Sequence, residues 1–312
     1  MMEHYVTLFD SLFLPQGVAL HKSMERHIQE YTLWILCVDD EAYTILVSLH
    51  LPNVRLLLIE NLETLDLQRV KPLRTKGEYC WTLTPFAPRF IFETDLQVKR
   101  VTYLDADMWF RATPKPIFEE FDKSGKCVLI TDHAYAPEHD QSATSGKYCV
   151  QFMTFTREGS EIVRKWWEDR CIDWCYARFE DGKFGDQKYL DDWPMRFGKY
   201  VHVLSDKRLL MAPWNSSRFQ YQNAICWHFH GLRIIRQGTW LGVAIFNYNL
   251  SKLVIEKVYM KHVDDLSLSI NLLSATGYVV RTQHEISRAS RIMSKIRGIL
   301  RGKWHGNFIP LN

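Results

Sequence analysis

The sequence predicts an α/β protein whose mostly parallel central sheet is flanked by helices. Strand-like and helix-like segments alternate from residue 4 onward, an order typical of parallel sheets with right-handed crossovers. Three strand-like segments, at 4–10, 33–40 and 100–107, end on carboxylates. In open α/β sheets ligands collect beyond the carboxyl ends of the strands, so these acidic positions also predict where the binding site lies. A chain of 312 residues can bury a substantial core.

The individual elements follow from the periodicity of the apolar residues. Strands are predicted at 4–10, 33–40, 54–60, 100–104, 126–132 and 149–155, with further apolar segments at 200–205, 209–215 and 225–231. Helices are predicted at 18–29, 42–51, 88–96, 114–121 and 157–179. The polar segment from His133 to Lys147 is compatible with an active-site lid but is more typical of a plain surface loop.

The C-terminal part has a different sequence pattern. From about Trp240, helix-like stretches at 251–263 and 283–303 replace the alternation of strands and helices. We therefore expect a domain over 1–240 and a helical extension over 241–312. Residues 281–304 carry a net charge of +6 in a chain of net charge +3, so the remainder is net acidic. A basic amphipathic helix at 283–303 is typical of binding to an anionic membrane surface, although packing on the first domain or on a partner protein is an alternative. Nucleic acid is not expected as a partner, because the remaining chain is acidic and shows no recognisable binding module.

The cysteines and the N-terminus favour a cytoplasmic protein. Seven cysteines are an odd number, and several lie in apolar segments, which favours buried thiols in a reducing compartment. Cys171 and Cys175 lie four apart, but the second clustered pair that a zinc site usually needs is not nearby. The sequence shows no basic-then-apolar leader pattern and no run of eighteen apolar residues, so we expect a cytoplasmic, non-spanning protein.

Asp105 and Asp107 form the strongest candidate site. Side chains at i and i+2 of an extended chain point to the same side, so both carboxylates can face one cation across the small Ala106. Hard oxygen ligands suit Mg²⁺ or Mn²⁺, which fill their other positions with water and substrate phosphates. Solvated turns often contain Asp-x-Asp too, but apolar residues flank this one on both sides. The pattern therefore predicts a divalent metal site for a diphosphate substrate.

Three short segments occur in a characteristic order: YLDAD at 103–107, GDQ at 185–187 and HFHG at 228–231. Together they resemble the nucleotide-sugar glycosyltransferases of the GT-A fold, particularly the retaining family 8 type. The segments LFDS, GEYCWT, FGDQKYLDDWP, APWN and HFHGLR are more similar still to uncharacterised bacterial sugar transferases. The resemblance covers roughly residues 4 to 236 and implies a Rossmann-like GT-A catalytic domain.

The resemblance implies a metal site and a nucleotide site. Asp105 and Asp107 would hold the cation on the diphosphate of the donor, with His228 of the H-x-x-G motif as third ligand and Gly231 closing that motif. An imidazole ligand tilts the choice from Mg²⁺ toward Mn²⁺. His230, on the same side of a strand as His228, is the competing candidate.

The resemblance also places Asp186 and Gln187 beside the transferred sugar, and Asp10 at the end of the first strand against the nucleotide. Asp186 has a simpler interpretation as the cap of a helix that begins near Gln187. If the reaction inverted the sugar configuration, the base could be Asp186, Asp191 or Asp192. The resemblance favours retention.

Two departures from the family pattern are visible. Residues 149–151, Cys-Val-Gln, stand where the family has a small Asn-x-Gly. The Lys-Pro-Trp that usually follows the H-x-x-G motif is absent, and Arg233 is the candidate replacement for its phosphate-binding lysine.

The implied function is a metal-dependent glycosyltransferase that moves a sugar from a nucleoside-diphosphate sugar to a glycan or lipid-linked acceptor, in bacterial cell-surface polysaccharide or lipopolysaccharide assembly. A sugar nucleotidyltransferase is the alternative enzyme. Such enzymes usually have a Gly-rich loop bearing Arg or Lys after the first strand, and the segment FDSLFLPQG at this place is not a loop of that kind. A catalytically inactive scaffold is a third hypothesis, supported only by the replacements at 149–151.

Overall fold

The structure is a computed structural model that describes residues 2–237, 240–282 and 309–311. Its strands are β1 (Glu3–Phe9), β2 (Tyr31–Cys37), β3 (Val54–Leu58), β4 (Arg100–Leu104), β5 (Met108–Phe110), β6 (Val128–Asp132), β7 (Tyr148–Thr156), β8 (Val201–Val203), β9 (Leu210–Met211), β10 (Cys226–His228), β11 (Leu232–Gln237), β12 (Trp240–Ile245) and β13 (Ile309–Pro310). Its helices are α1 (Leu14–His27), α2 (Asp40–Leu49), α3 (Leu65–Val70), α4 (Lys76–Leu83), α5 (Ala87–Thr94), α6 (Lys115–Ser124), α7 (Ser142–Ser145), α8 (Glu161–Asp173), α9 (Trp193–Arg196), α10 (Lys252–Val254) and α11 (Met260–Ser274). The helix expected at 283–303 lies outside the described residues.

The central sheet has seven strands in the order β3-β2-β1-β4-β7-β6-β8. Every neighbouring pair is parallel except the two that involve β7, which runs antiparallel to β4 and β6. All seven residues of β2 are buried, as expected for a strand covered on both faces. The prediction of a mostly parallel α/β sheet flanked by helices is confirmed.

The reversed strand β7 begins at the edge where β4 ends. Leu104 pairs with Phe152, and the amide of Asp105 donates to the carbonyl oxygen of Gln151 at 3.2 Å. The segment 149–151 therefore lies directly beside the Asp-x-Asp segment. The sequence did not reveal the direction of β7, because its continuous apolar pattern fits a buried strand of either direction.

A second sheet of three strands, β5-β10-β9, extends the same edge. In its antiparallel pair His228 of β10 lies opposite Met108 of β5, and the Phe229 amide donates to the carbonyl oxygen of Asp107 at 2.9 Å. This small sheet brings a segment distant in sequence beside the carboxylates.

The C-terminal segments pack back on the first helix and on the 3-10 turn (Ser11–Phe13) that follows the first strand. A π-helical turn (Ile255–Tyr259) joins α10 to α11, so the helix expected at 251–263 is longer than predicted. Arg26 of α1 forms an ion pair with Asp265 of α11, and the Tyr278 hydroxyl donates to the carbonyl oxygen of Ser11 at 2.8 Å. The hairpin β11-β12 spans the boundary expected at residue 240, and the division into two domains stays a prediction.

The aromatic helix predicted over 157–179 is wrong in length. Helix α8 ends at Asp173, and Trp174 is already extended, with φ −156° and ψ 123°. Cys175 beyond the helix is buried in the same core cluster as Cys171, so tertiary packing continues the apolar pattern after the helix has ended.

All seven cysteines are free. Within the part of the chain that the structure describes, no helix combines the length and the apolar character needed to cross a membrane.

Gly231 lies in the turn between β10 and β11 and has a φ of +79°, a backbone conformation that favours glycine. A Cβ at this position would lie 2.7 Å from the carbonyl oxygen of Phe246. That carbonyl cannot withdraw easily, because the Phe246 amide donates to the Gly231 carbonyl oxygen at 2.9 Å. Gly231 is therefore required by the backbone, whatever else it does.

We predict that Gly231→Ala lowers the free energy of unfolding by more than Gly277→Ala. Gly277 has a φ of +85°, so both variants introduce the same kind of strain, about 1–2 kcal/mol. Only the new methyl group at 231 meets a neighbouring atom, since the space around Gly277 is open within 4 Å. Urea unfolding of both variants measures the difference. Equal losses would show that the Phe246 carbonyl does not constrain this turn.

Candidate metal and nucleotide-sugar site

A cavity of about 670 Å³ lies at the carboxyl edge of β1 and β4. This volume is in the range of small-molecule sites. The residues predicted as site residues that line it are Asp10, Asp105, Asp107, Asp186, Gln187, His228 and Arg233. Gly231 is not among its lining residues. The structure therefore brings most of the predicted residues, spread over more than 200 positions, into one cavity.

Asp105, Asp107 and His228 form the only group of potential metal ligands that the described residues contain, with their ligand atoms all within 4.8 Å of one another. Nε2 of His228 lies 3.0 Å from Oδ1 of Asp107 and 3.8 Å from Oδ2 of Asp105. Two carboxylates and one imidazole are a suitable donor set for Mn²⁺. His230 is not part of this group; its Nδ1 lies 2.9 Å from the Tyr248 hydroxyl.

Neighbouring groups fix the orientation of these ligands. The Tyr103 hydroxyl donates to Oδ1 of Asp105 at 3.1 Å. On the other side of the group, Nδ1 of His228 lies 2.9 Å from Oε1 of Gln151, so the ring is held with Nε2 facing the carboxylates. From the sequence alone, Gln151 stands out only as a departure from the family pattern. A buried amide in the apolar strand segment YCVQFMTF was the signal that could have identified it.

The electrostatics of the three groups are strongly coupled. Burial raises the pKa of Asp105 to about 6, although the positive charge of His228 opposes this shift. Burial alone would raise the pKa of Asp107 too, but the charge and hydrogen bond of His228 hold it well below its usual range. Burial alone would lower the pKa of His228, yet Asp107 raises it. His228 and Asp107 therefore favour the ionised forms of each other.

Asp186 lies in the loop between α8 and α9 and is only 3% exposed. Its Oδ2 is buried without a hydrogen-bond partner among the described residues, while the indole of Trp167 donates to its main-chain oxygen at 2.8 Å. Burial, and secondarily the charge of Asp105, raise the pKa of Asp186 to about 8. The 3-10 helix that follows, Lys188–Asp192, has Gln187 as its N-cap residue and no side-chain cap. The interpretation of Asp186 as a simple helix cap is therefore wrong.

The alternative bases Asp191 and Asp192 have other partners. Asp191 accepts from the Lys147 amide at 2.7 Å and from Nζ of Lys188 at 2.8 Å. Asp192 accepts from Arg196 at 2.7 Å. Neither lines the cavity, so Asp186 is the better placed of the three carboxylates.

Asp10 follows β1 and faces the cavity, but both of its oxygens are engaged. Oδ1 accepts from the Leu12 amide at 3.1 Å, and Oδ2 lies 2.7 Å from Nζ of Lys76. Lys76 also lies 3.1 Å from Asp39, which follows β2. Sequence reasoning missed Lys76, because nothing in the pattern of α4 distinguishes its first residue from a solvated lysine.

Arg233 of β11 lines the cavity, and NH1 donates to the carbonyl oxygen of Leu232 at 2.8 Å. Burial raises the pKa of Asp107, but His228, then His230 and then the positive charge of Arg233 lower it. The side chain is therefore placed to face an anionic group bound near the metal ligands.

The segment from His133 to Lys147 is not a plain surface loop. His133, Tyr135, Gln141 and Ser145 line the cavity. The Trp214 indole donates to the His133 carbonyl oxygen at 2.9 Å, which anchors the start of the segment. Its role as a lid stays a prediction.

Comparisons with known proteins agree with the fold. No protein family model matches the chain. The uncharacterized protein YfnF of Bacillus subtilis (strain 168) is 29% identical over 255 residues, which are 75% of this chain and 83% of YfnF. The uncharacterized protein YfnD of the same organism is 26% identical over 250 residues, which are 75% of this chain and 79% of YfnD. The apo structure of the WbbM bifunctional glycosyltransferase matches with a TM-score of 0.52 at 14% identity, over 88% of this chain and 51% of that protein.

The similarity to WbbM shows a shared fold, and the two Bacillus proteins are relatives of the kind that the sequence motifs indicated. The expected resemblance to GT-A-fold glycosyltransferases and to uncharacterised bacterial proteins is confirmed.

We predict that Asp186→Asn stabilises the metal-free protein, and more so at pH 8 than at pH 5. The folded protein keeps a proton on Asp186 up to a pKa of about 8, whereas the unfolded chain releases it near its ordinary pKa of 3.8. Between these values the folded state binds more protons, so wild-type stability falls as the pH rises, and an amide removes that loss. Thermal unfolding in EDTA measures the gain, and each 1 kcal/mol corresponds to roughly 2–4 °C.

The matched control is Asp169→Asn, an exposed carboxylate on α8 that should change stability by less than about 0.5 kcal/mol at either pH. A gain at Asp186 that does not depend on pH would show that burial does not hold its proton.

Proposed function

We propose that this protein is a metal-dependent glycosyltransferase that uses a nucleoside-diphosphate sugar as donor. The observation that supports this most directly is that the group Asp105, Asp107 and His228 lines the same cavity as the buried carboxyl group of Asp186. A cation site beside an uncharged or weakly charged subsite suits a substrate with a diphosphate at one end and a sugar at the other. The GT-A-like fold is consistent with this reading.

In the proposed complex, Asp105, Asp107 and His228 hold Mn²⁺ or Mg²⁺. The cation supplies Lewis acidity toward the departing diphosphate. Arg233 adds positive charge on the same side, so the leaving group needs no protonating acid. Asp10 and Lys76 lie at the neighbouring strand end, where they can contact the nucleoside, with Lys76 exchanging its carboxylate partners for donor oxygens.

Asp186 and Gln187 are proposed to lie beside the transferred sugar. A carboxyl group with a pKa of about 8 carries its proton in the resting protein and can donate a hydrogen bond to a sugar hydroxyl. In the fraction of the protein in which Asp186 is already ionised, a fraction that grows as the pH approaches 8, its negative charge would stabilise the positive charge that develops on the sugar. Gln187 orients the acceptor.

We propose retention of configuration, on the basis of the sequence resemblance. The alternative is an inverting route with Asp186 as general base, a role for which a pKa near the working pH is suitable. Proton NMR of the freshly formed product separates the two, because the coupling constant of the anomeric proton reports the configuration. Retention is the expected outcome for an α-linked donor, with a small coupling in the product.

The proposed acceptor is a glycan or a lipid-linked glycan of a bacterial cell surface. Approach to a membrane through the basic segment 283–303, and with it a cytoplasmic, peripheral location, rests on sequence alone because that segment lies outside the described residues. Of the alternatives, a nucleotidyltransferase has little support, since a 3-10 helix (Ser11–Phe13) and α1 follow β1 directly, without a Gly-rich loop. An inactive scaffold would bind metal and nucleotide without turnover.

We predict that Asp107→Asn abolishes metal-dependent donor binding while leaving the fold intact. The carboxylate contributes charge and one ligand atom to the cation, and an amide keeps its shape without the charge. A thermal-shift panel of nucleotides and nucleotide sugars, with and without Mn²⁺, should give a shift with one donor class in the wild type that the variant lacks. Transfer activity should fall at least about 100-fold, as when one electrostatic contributor is removed from an active site.

Asp169→Asn serves as the control and should respond to donor and metal as the wild type does. If no nucleotide, with or without Mn²⁺, shifts the melting temperature of the wild type, the assignment of the donor site is wrong. If donor binds but neither transfer nor donor hydrolysis occurs with any acceptor, the scaffold hypothesis replaces the enzyme.

A further inference from the structure

Gln151 is a buried amide at the centre of an apolar strand. It is fully buried in β7, and its sequence neighbours Val150 and Phe152 belong to the hydrophobic core. An amide in such a place is unfavourable unless its polar atoms are paired. Its Nε2 has no hydrogen-bond partner among the described residues. Packing therefore does not explain why a glutamine occupies this position. The polar contact that can explain it is the one made by the amide oxygen, Oε1.

The amide oxygen contacts a proposed metal ligand. Oε1 of Gln151 lies 2.9 Å from Nδ1 of His228, and both groups are buried. The main-chain oxygen of Gln151 accepts from the amide of Asp105 at 3.2 Å. One residue thus contacts two of the three residues of the metal group, His228 through its side chain and Asp105 through its backbone.

The geometry decides which nitrogen of His228 can bind a cation. Nε2 faces Oδ1 of Asp107 at 3.0 Å, whereas Nδ1 faces away from both carboxylates toward Gln151. A neutral imidazole binds a metal through one nitrogen and carries its proton on the other. An acceptor at Nδ1 holds a proton there, so Nε2 is the nitrogen left to offer its lone pair to a cation held by the carboxylates.

We propose that Gln151 is a positioning residue that fixes the tautomer and ring orientation of His228 for binding a divalent cation. This inference rests on the proposed metal site and names a residue that acts through His228 rather than on substrate. A neutral acceptor suits this cavity, because Asp105, Asp107 and Asp186 already supply three carboxyl groups. A carboxylate in place of Gln151 would add further negative charge to the same buried space.

The test is Mn²⁺ affinity, measured by isothermal titration in the absence of donor, for the wild type, Gln151→Met and Gln16→Met. Methionine matches glutamine in length and removes the acceptor. Gln16 of α1 is also buried, with an unpaired Oε1, and does not line the cavity, so it receives the same substitution as a matched control. We expect Gln151→Met to weaken Mn²⁺ binding 10- to 100-fold, the range seen when an outer-shell partner is lost, and Gln16→Met to change it less than 2-fold.

Two further readouts separate positioning from general stability. The melting temperature of metal-free Gln151→Met should not fall below that of Gln16→Met, because the substitution also removes an unpaired buried donor. Electron spin-echo spectroscopy of bound Mn²⁺ should show nitrogen modulation from the imidazole in the wild type and a weakened or lost signal in Gln151→Met. A purely structural role would lower the melting temperature and leave the nitrogen signal unchanged in the protein that remains folded.

The outcomes distinguish this inference from the function on which it rests. If the wild type binds no Mn²⁺, the metal site fails and the role of Gln151 fails with it. If the wild type binds Mn²⁺ and Gln151→Met binds it equally well with the same nitrogen modulation, the positioning role is overturned while the metal site stands. Should the methionine variant not fold, Gln151→Asn, which keeps the amide but withdraws the acceptor from His228, takes its place. Its Mn²⁺ affinity should be at least 10-fold lower than that of the wild type, and equal affinities would overturn the proposal.

Discussion

The charge repulsion between Asp105 and Asp107 is the constraint on which the rest of the site depends. Two carboxylates one residue apart, at the partly buried edge of a sheet, repel each other more strongly than they would in water. A positive group held against them offsets this repulsion, and His228, whose pKa Asp107 raises, lies where it can supply that charge. A divalent cation can take over that role because it carries more charge and accepts all three groups as ligands.

The topology of the sheets supplies the rigidity that this constraint demands. Because β7 runs against its neighbours, its first residues rather than its last lie beside the end of β4. Because β10 pairs with β5, His228 is held beside the backbone of Asp107 by strand pairing and does not lie on a loop. The ligands are therefore fixed by main-chain hydrogen bonds on two sides, and their spacing does not depend on side-chain packing alone.

Sequence reasoning predicted the fold class and most of the cavity residues, since alternating apolar segments and acidic strand ends are local signals. It failed where the determining contacts are not local. The reversal of β7, the second sheet and the end of α8 at Asp173 depend on pairing and packing that no periodicity reveals. Lys76 and Gln151 were missed for the same reason, because each becomes informative only when Asp10 or His228 is placed beside it. The resemblance to a family located the motifs but offered nothing at Gln151, where this chain departs from it.

Two aromatic side chains line the cavity close to Asp186 in the chain or in space. They are Trp81 and Phe184, whose ring centroids lie 6.1 Å apart. A Cβ at Gly185 would lie 3.3 Å from the Trp81 ring, so the glycine before Asp186 lets the indole approach the backbone closely. An apolar surface at this point keeps water from the carboxyl group and thereby maintains its raised pKa. In the proposed complex, a sugar that displaces the remaining water would contact a carboxyl group that is already desolvated. The free-energy cost of burying Asp186 would then fall on folding rather than on the reaction.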